Sequence, residues 1–503
     1  MRKIVLGALI VACVGAFALA WHFSEKVEKL GDNLKTDNLH IYKSEEMGFE
    51  IGILDDMTVD ESLAGLVTEI YNKDISLSVF FDDFTKSGNN YGGYVDYSNK
   101  FLRDTTNHKL LEEKITEIDD KYTHFLAYSR KKLKRLEDDK NYYCSAEIKV
   151  TNTKVYTLLA KTSSEDLSQV KSMFSSFKVI DSKNDVGPKI PDGYFKKVAL
   201  KQNNATKEVF NKYFGDDAKL TWGIFDPEAP NDFTKLNEIE KKIGYNFDFL
   251  IRYQSFNTKL PASEIKAAAN IGKIIELTPQ TMNTKSGEID IYEILDGKYD
   301  EYLNEYARDI KELNVPVLMR LNNEMNGDWC GYCAYHYSKD ASLYKDAWKY
   351  VYKIFENNGV DNVLWVWNPN HKSFPDFGYN NELMYYPGDD YVDIVGLTAY
   401  NTGDYYPGEK WSTFDELYKE YYNEYARIFE KPLMITEFAS SIFGGNKVEW
   451  VNDMFNSLEQ YPRIKVAIWW SHIDYDAEGN EARVYRVDRP SEVLDVFRKH
   501  IGK

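Results

Sequence analysis

Along the second half of the chain, short and almost uninterrupted apolar runs recur, separated by longer stretches in which apolar residues return every third or fourth position. The runs predict strands at Leu220–Phe225, Phe247–Tyr253, Ile274–Thr278, Pro316–Leu321, Val363–Trp367, Asp393–Ala399, Leu433–Phe438 and Lys465–Trp470. A run without alternation fits a strand buried on both faces, as in a parallel sheet. The stretches between them predict helices, clearest at Tyr299–Leu313, Ala341–Asn357, Thr413–Phe429, Lys447–Tyr461 and Ser491–His500. Eight strand–helix repeats in succession are what a (β/α)8 TIM barrel requires. A doubly wound open sheet is the competing α/β fold. It normally has fewer strands and a Gly-rich turn after the first, which Phe225-Asp226-Pro227-Glu228 lacks.

The first half is patterned differently. Ile75–Phe81, Tyr142–Val150 and Val155–Lys161 alternate in part and read as strands, and Ser164–Phe177 reads as a helix opened by Ser163-Ser164-Glu165-Asp166. A small α+β accessory domain is therefore expected over residues 21–180, its first 25 or so residues a polar tether. The stretch 181–192, D-S-K-N-D-V-G-P-K-I-P-D, is the clearest linker, and the barrel is expected over 193–503. The basic run Arg130–Arg135 reads as a solvated helix face, with contact to an acidic polymer as the alternative. Residues 1–20 have a leader's build: Arg2 and Lys3, an apolar run from Ile4 to Ala20, and Ala18-Leu19-Ala20 as a cleavage site. The same run, left uncut, would be a membrane anchor. Lipidation at Cys13 fits less well, because apolar residues continue from Val14 to Ala20. An extracellular or surface-tethered protein, working as a monomer, is expected.

Composition narrows the partners. A net charge of -18 over 503 residues argues against nucleic acid or anionic lipid, which are bound chiefly by clustered Lys and Arg. A neutral ligand suits the chain better. Its 10 Trp and 38 Tyr fit carbohydrate, whose apolar ring faces stack on aromatic rings, although most such rings pack in cores.

The candidate chemistry lies at two strand ends. Val315–Trp329, V-P-V-L-M-R-L-N-N-E-M-N-G-D-W, presents Glu324 at the end of strand four, and Pro432–Ala439, P-L-M-I-T-E-F-A, presents Glu437 at the end of strand seven. In a barrel both face the catalytic mouth. Two carboxylates about 5 to 5.5 Å apart are the equipment for retaining glycoside hydrolysis, one attacking the anomeric carbon and one protonating the leaving oxygen.

At this point the chain resembles glycoside hydrolase family 26. The matching residues are Glu324-Met325-Asn326-Gly327 with Trp329, Asp393–Leu397 leading to Tyr400, Thr436-Glu437-Phe438, and Ile468-Trp469-Trp470. The resemblance implies a retaining endo-β-glycanase of the β-mannanase or mixed-linkage β-glucanase type, with Glu324 as acid/base and Glu437 as nucleophile. It implies that Tyr400 hydrogen-bonds Glu437, that Trp469 floors the cleavage subsite, with Trp470 the alternative because strand parity at the rim is open, and that Trp329 lines the neighbouring subsite. Many family mannanases have His before the acid/base. Here it is Asn323, whose amide can donate to the sugar 2-hydroxyl, and this departure counts against mannan.

Weaker candidates are Arg320, Asn322, Asn326 and Asp328, then Asn368, Asn370 and His371 after strand five, and His472 and Asp474 after strand eight. Each has loop capping as its plain alternative. Trp329-Cys330-Gly331-Tyr332-Cys333 looks like a thioredoxin-type W-C-G-x-C, but it lies inside the strand–helix series. A local disulfide or two free thiols are the other readings. No cofactor is expected, and ligand spacing implies no metal. The rival class is a non-hydrolytic glycan-binding protein on a barrel scaffold.

Overall fold

The computed structural model describes residues 29–30, 39–181, 190–282 and 291–502. The leader with Cys13 and most of the 181–192 linker lie outside the described residues. The chain clusters into two compact units, one running to position 189 and the other from Ile190 onward, with Leu133–Glu137 grouped with the second. Among the described residues no helix is long and apolar enough to cross a membrane.

The first unit is richer in strands than the sequence pattern suggests. Seven antiparallel strands follow the spatial order Thr58–Asp60, Val67–Tyr71, Ile75–Asp83, Lys154–Thr162, Tyr142–Lys149, Lys121–Arg130, His108–Ile118. One sheet face packs on the helix Ser168–Ser175 and on a smaller sheet formed by His40–Ser44, Phe49–Ile53 and Lys178–Val179, enclosing Phe49, Leu77, Phe125, Leu158 and Phe174. That helix starts later than expected, because Ser164 and Asp166 turn the chain first, each side chain accepting from a backbone N–H two residues on. The basic run is not a helix face. Arg130 ends a strand, buried, with its guanidinium forked onto Asp139, and the residues after it are turn and coil.

The second unit is a closed barrel of eight parallel strands in sequence order. They are β1 Thr221–Phe225, β2 Phe249–Ser255, β3 Ile274–Gln280, β4 Val317–Met319, β5 Val363–Trp367, β6 Ile394–Thr398, β7 Leu433–Phe438 and β8 Ile464–Trp470, with β1 paired to β8 to close the ring. Phe249, Ile251, Leu318, Leu364, Val366, Ile394, Met434, Val466 and Ile468 fill the interior. Among the flanking helices, Phe414–Ile428 is opened by a reciprocal Thr413–Glu416 capping box. β4 is shorter than its apolar run because Asn322 and Glu324 both adopt left-handed backbone, at φ 55° and 54°. The pairing continues past the strand's formal end, through Arg320 N to Leu277 O, Asn322 N to Pro279 O and Glu324 N to Asn368 O.

Candidate active site

The C-terminal ends of the strands surround a cavity of about 1040 Å³ lined by Asn323, Glu324, Trp329, Tyr400, Glu437 and Trp470, among others. Two backbone irregularities aim the carboxylates into it. The left-handed turn after β4 lifts Glu324 off the strand, while β7 slips one residue against β6 between Ile435 and Glu437. Continued alternation from inward-facing Met434 would point Thr436 into the barrel and Glu437 out. The bulge lets Thr436 meet Thr398, their hydroxyls 2.9 Å apart, while Glu437 also reaches the mouth.

The surroundings of the two carboxylates differ. Glu437 is buried and accepts on Oε2 from the Tyr253 hydroxyl and from Arg320 Nη2 (3.1 Å). Burial, and then the charge of Glu437, hold the Tyr253 phenol well above its usual pKa, so it stays protonated and donates. Burial opposes the charge on Arg320, but Glu276 and Glu437 outweigh it and keep the guanidinium charged. Among the described residues no cation contacts Glu324. Burial and then the charge of Glu437 raise its pKa to about 7, against the pull of the Asn370 amide, which donates to Oε1 at 2.5 Å. One carboxylate is thus paired with a cation and a phenol, while the other, Glu324, exchanges a proton near neutrality.

Beneath the pair lies Glu276, fully buried on β3, 3.2 Å from Arg320 Nε. That contact lacks hydrogen-bond geometry; Nε donates to Thr278 Oγ1 instead, and Glu276 has no donor partner among the described residues. Burial raises its pKa to about 8, against the opposing pull of the Arg320 charge.

The Glu-Met-Asn-Gly-x-Trp block has separable physical roles. Asn326 is fully buried and clamps the loop after β4 to the loop after β5, accepting from Asn370 N (2.8 Å) and donating to Asn370 O (3.0 Å). Gly327 makes room for the indole of Trp329: a Cβ there would sit 2.4 Å from the ring. Trp329 is 50% exposed and packs against Phe374 on the cavity rim. Asn323 has its Oδ1 occupied by Gln280 Nε2 (3.1 Å) and the Tyr332 hydroxyl (3.3 Å), and its amide nitrogen has no partner among the described residues.

Two expectations are corrected, and for the two cysteines after Trp329 the free-thiol reading holds. The hydroxyl on Glu437 belongs to Tyr253, not to Tyr400, which lines the cavity against Trp470 and Tyr485. The aromatic surface from β8 is Trp470, stacked on Phe225 with ring centres 5.4 Å apart; Trp469 faces outward, fully buried among Phe438, Trp450 and Phe497, its Nε1 bonded to Tyr485 O. Parity decides this, because Val466 and Ile468 are inward and Trp470 follows them. Cys330 and Cys333 are free thiols, and burial raises both pKa values, Cys333 to about 12, which is opposite to an activated thioredoxin cysteine. Of the weaker candidates, Arg320 and Asn370 contact the two carboxylates, and His371, His472 and Asp474 line the cavity. Asn368 and Asn322 hold the frame, through Arg320 and through the backbone N–H of Thr281. Tyr253 and Glu276 were missed. The signal for Tyr253 was a polar-tipped aromatic closing the β2 run.

The family model described as "Glycosyl hydrolase family 26" matches residues 263–440. Endoglucanase H of Acetivibrio thermocellus is 32% identical over 242 residues, 47% of this chain and 25% of that protein. A mannan endo-1,4-beta-mannosidase of Bacillus subtilis is 34% identical over 155 residues, 30% of this chain and 39% of that protein. The chain thus spans less than half the length of these two relatives. The solved catalytic domain of the Bacillus sp. JAMB-750 GH26 endo-beta-1,4-mannanase aligns over 62% of this chain and 93% of its own at 20% identity, with a TM-score of 0.45.

Proposed function

We propose, from the premise that the barrel half carries a glycosyl hydrolase family 26 domain, matched over residues 263–440, that the protein cleaves internal β-linkages of a neutral polysaccharide with retention of configuration. The observation that carries this reading is the divergence of Glu324 and Glu437 within one cavity. In the first step Glu437 attacks the anomeric carbon and the C–O bond to the leaving sugar breaks. Its electron pair takes the Glu324 proton, leaving a glycosyl ester on Glu437 and Glu324 ionised. In the second step Glu324 takes a proton from water, which attacks the same carbon and releases Glu437. Each half-reaction returns the proton inventory of the other. Arg320 and Tyr253 stabilise the departing and returning charge on Glu437, and Asn370 and Trp329 do the same for ionised Glu324.

For the substrate, the support comes from Asn323. Its amide nitrogen, without a partner among the described residues, is a donor for the 2-hydroxyl of the sugar being cleaved, while Trp470 and Phe225 offer a stacking surface. This favours a β-glucan with an equatorial 2-hydroxyl, and the similarity to an endoglucanase over nearly half the chain agrees. The second reading is β-mannan, favoured by the similarity to Bacillus mannosidases. We place the work outside the cell, after cleavage of the leader or on a tether formed by it, with the catalytic portion following the linker at 181–192. Reducing-sugar release from mixed-linkage β-glucan, cellulose derivative, β-mannan and xylan, with NMR of the first-formed anomer, tests the reading. Release from none of them, or an inverted first product, overturns it.

A further inference from the structure

Ten large apolar side chains are left exposed among the described residues, and five of them lie in two cavities. Trp329 and Phe374 belong to the barrel mouth. Leu110 (45% exposed), Ile115 (43%) and Tyr122 (41%) belong to a groove of about 910 Å³ within the first unit. Exposed apolar groups gathered in a concavity are unlike the scattered ones of an ordinary surface and mark a place where something binds.

The groove lies on the face of the seven-stranded sheet that carries Ile115, Tyr122, His124 and Lys149. The helix Tyr91–Ser98 and the turn Lys100–Arg103 lie over part of that face, and the outermost strand, His108–Ile118, extends beyond them. The floor is a fixed polar network. Buried His124 has Nδ1 2.6 Å from Glu147 Oε2 and Nε2 3.0 Å from Glu113 Oε1, and Glu147 also accepts from Asn99 Nδ2 at 3.1 Å. The Tyr91 hydroxyl ties two strands together, donating to Glu147 O (2.9 Å) and accepting from His124 N (3.1 Å), and its ring meets Tyr122 edge to face. A floor tied in this way does not collapse onto the groove to bury the apolar groups.

The rim selects the occupant. Asp96 and Glu113 face Lys100, Arg103 and Lys149, a near-balance that gives neither a polyanion nor a polycation an advantage. The surface combines a tyrosine ring and aliphatic side chains with amides and charged groups that donate and accept. That matches a polyol with apolar faces, which is the chemistry of the barrel mouth repeated on another scaffold.

We propose that this groove binds a stretch of neutral polysaccharide of the class cleaved by the barrel, with Tyr122, Ile115 and Leu110 as the surface on which the sugar rings lie. The inference rests on the proposed function for its choice of ligand. Its test uses the full chain carrying Glu437→Ala and Trp470→Ala, which disable the barrel site, in native electrophoresis through gels containing the polysaccharide that the wild type hydrolyses fastest. The groove should still retard this protein, and Tyr122→Ala should weaken the retardation about tenfold. Ile115→Ser, an independent surface change, should weaken it in the same direction. In an otherwise wild-type chain, Tyr122→Ala should leave hydrolysis of a soluble aryl oligosaccharide unchanged. Retardation that neither substitution alters, in chains folded by circular dichroism, overturns the groove while leaving the barrel reading intact. A wild type that hydrolyses no polysaccharide overturns the barrel reading, and this choice of ligand with it.

Discussion

The ends of β4 and β7 carry the same side chain and do opposite things with it. At the end of β7, Glu437 accepts from two donors, Arg320 and Tyr253. At the end of β4, Glu324 stands on a left-handed turn with no cation in contact among the described residues, and burial, then the negative charge of Glu437, raise its proton affinity. The fixed charge on one is part of what loads the proton on the other. What separates the proposed acid from the proposed nucleophile is therefore not residue type but the surroundings each strand end supplies.

The largest effect should come from removing the two carboxylates separately. Glu437→Ala should lower turnover by at least about 10⁴-fold on every substrate, and azide should restore it from the vacated side as the α-glycosyl azide. Glu324→Ala should spare formation of the glycosyl ester from substrates with good leaving groups, and azide should release it as the β-azide. Identical anomers by NMR would erase the distinction between the two strand ends. Next, Tyr253→Phe removes one donor from Glu437 and should cost about a hundredfold in kcat, more than Tyr400→Phe; the reverse order in steady-state kinetics would return that role to Tyr400.

The pH dependence follows from Glu324. Its pKa of about 7 means that kcat/KM should fall as pH rises past neutrality, because the proton-donating form is lost. Asn370 favours the ionised form, so Asn370→Ala should move that descending limb to higher pH, and a shift to lower pH would contradict the assignment. Glu276 should appear in stability. Folding raises its pKa from 4.5 to about 8, so its favourable contribution is complete below 4.5 and is lost as pH rises through about 8. Glu276→Gln has no such proton to lose. Its Tm relative to wild type should climb by several degrees between pH 5 and pH 8, and a constant difference would mean that Glu276 is ionised throughout. The smallest effect is expected from Cys330→Ser with Cys333→Ser, within about tenfold of wild-type hydrolysis, since both thiols are protonated and neither contacts Glu324 or Glu437. Near-complete loss in a folded double variant would restore a catalytic role for the thiols.

What the sequence by itself determined is the framework and the candidate pair of carboxylates. Eight apolar runs are visible because burial on both faces removes polar residues from a strand, and Glu324 and Glu437 stand out because a carboxylate ending such a run interrupts the pattern. In the first unit, strands at Ile75–Asp83, Tyr142–Lys149 and Lys154–Thr162 were legible, while His108–Ile118 was not, because an edge strand with charged and exposed positions carries little hydrophobic signal. Only the tertiary structure decided that Trp470 rather than Trp469 faces the cavity, that Tyr253 rather than Tyr400 holds Glu437, and that Glu276 lies under Arg320. Each of these depends on the inward or outward phase of a strand, or on a contact between strands far apart in sequence. A single-residue bulge such as the one in β7 reverses that phase without changing the composition of the run, so the fold must be closed before the neighbours of a carboxylate are defined.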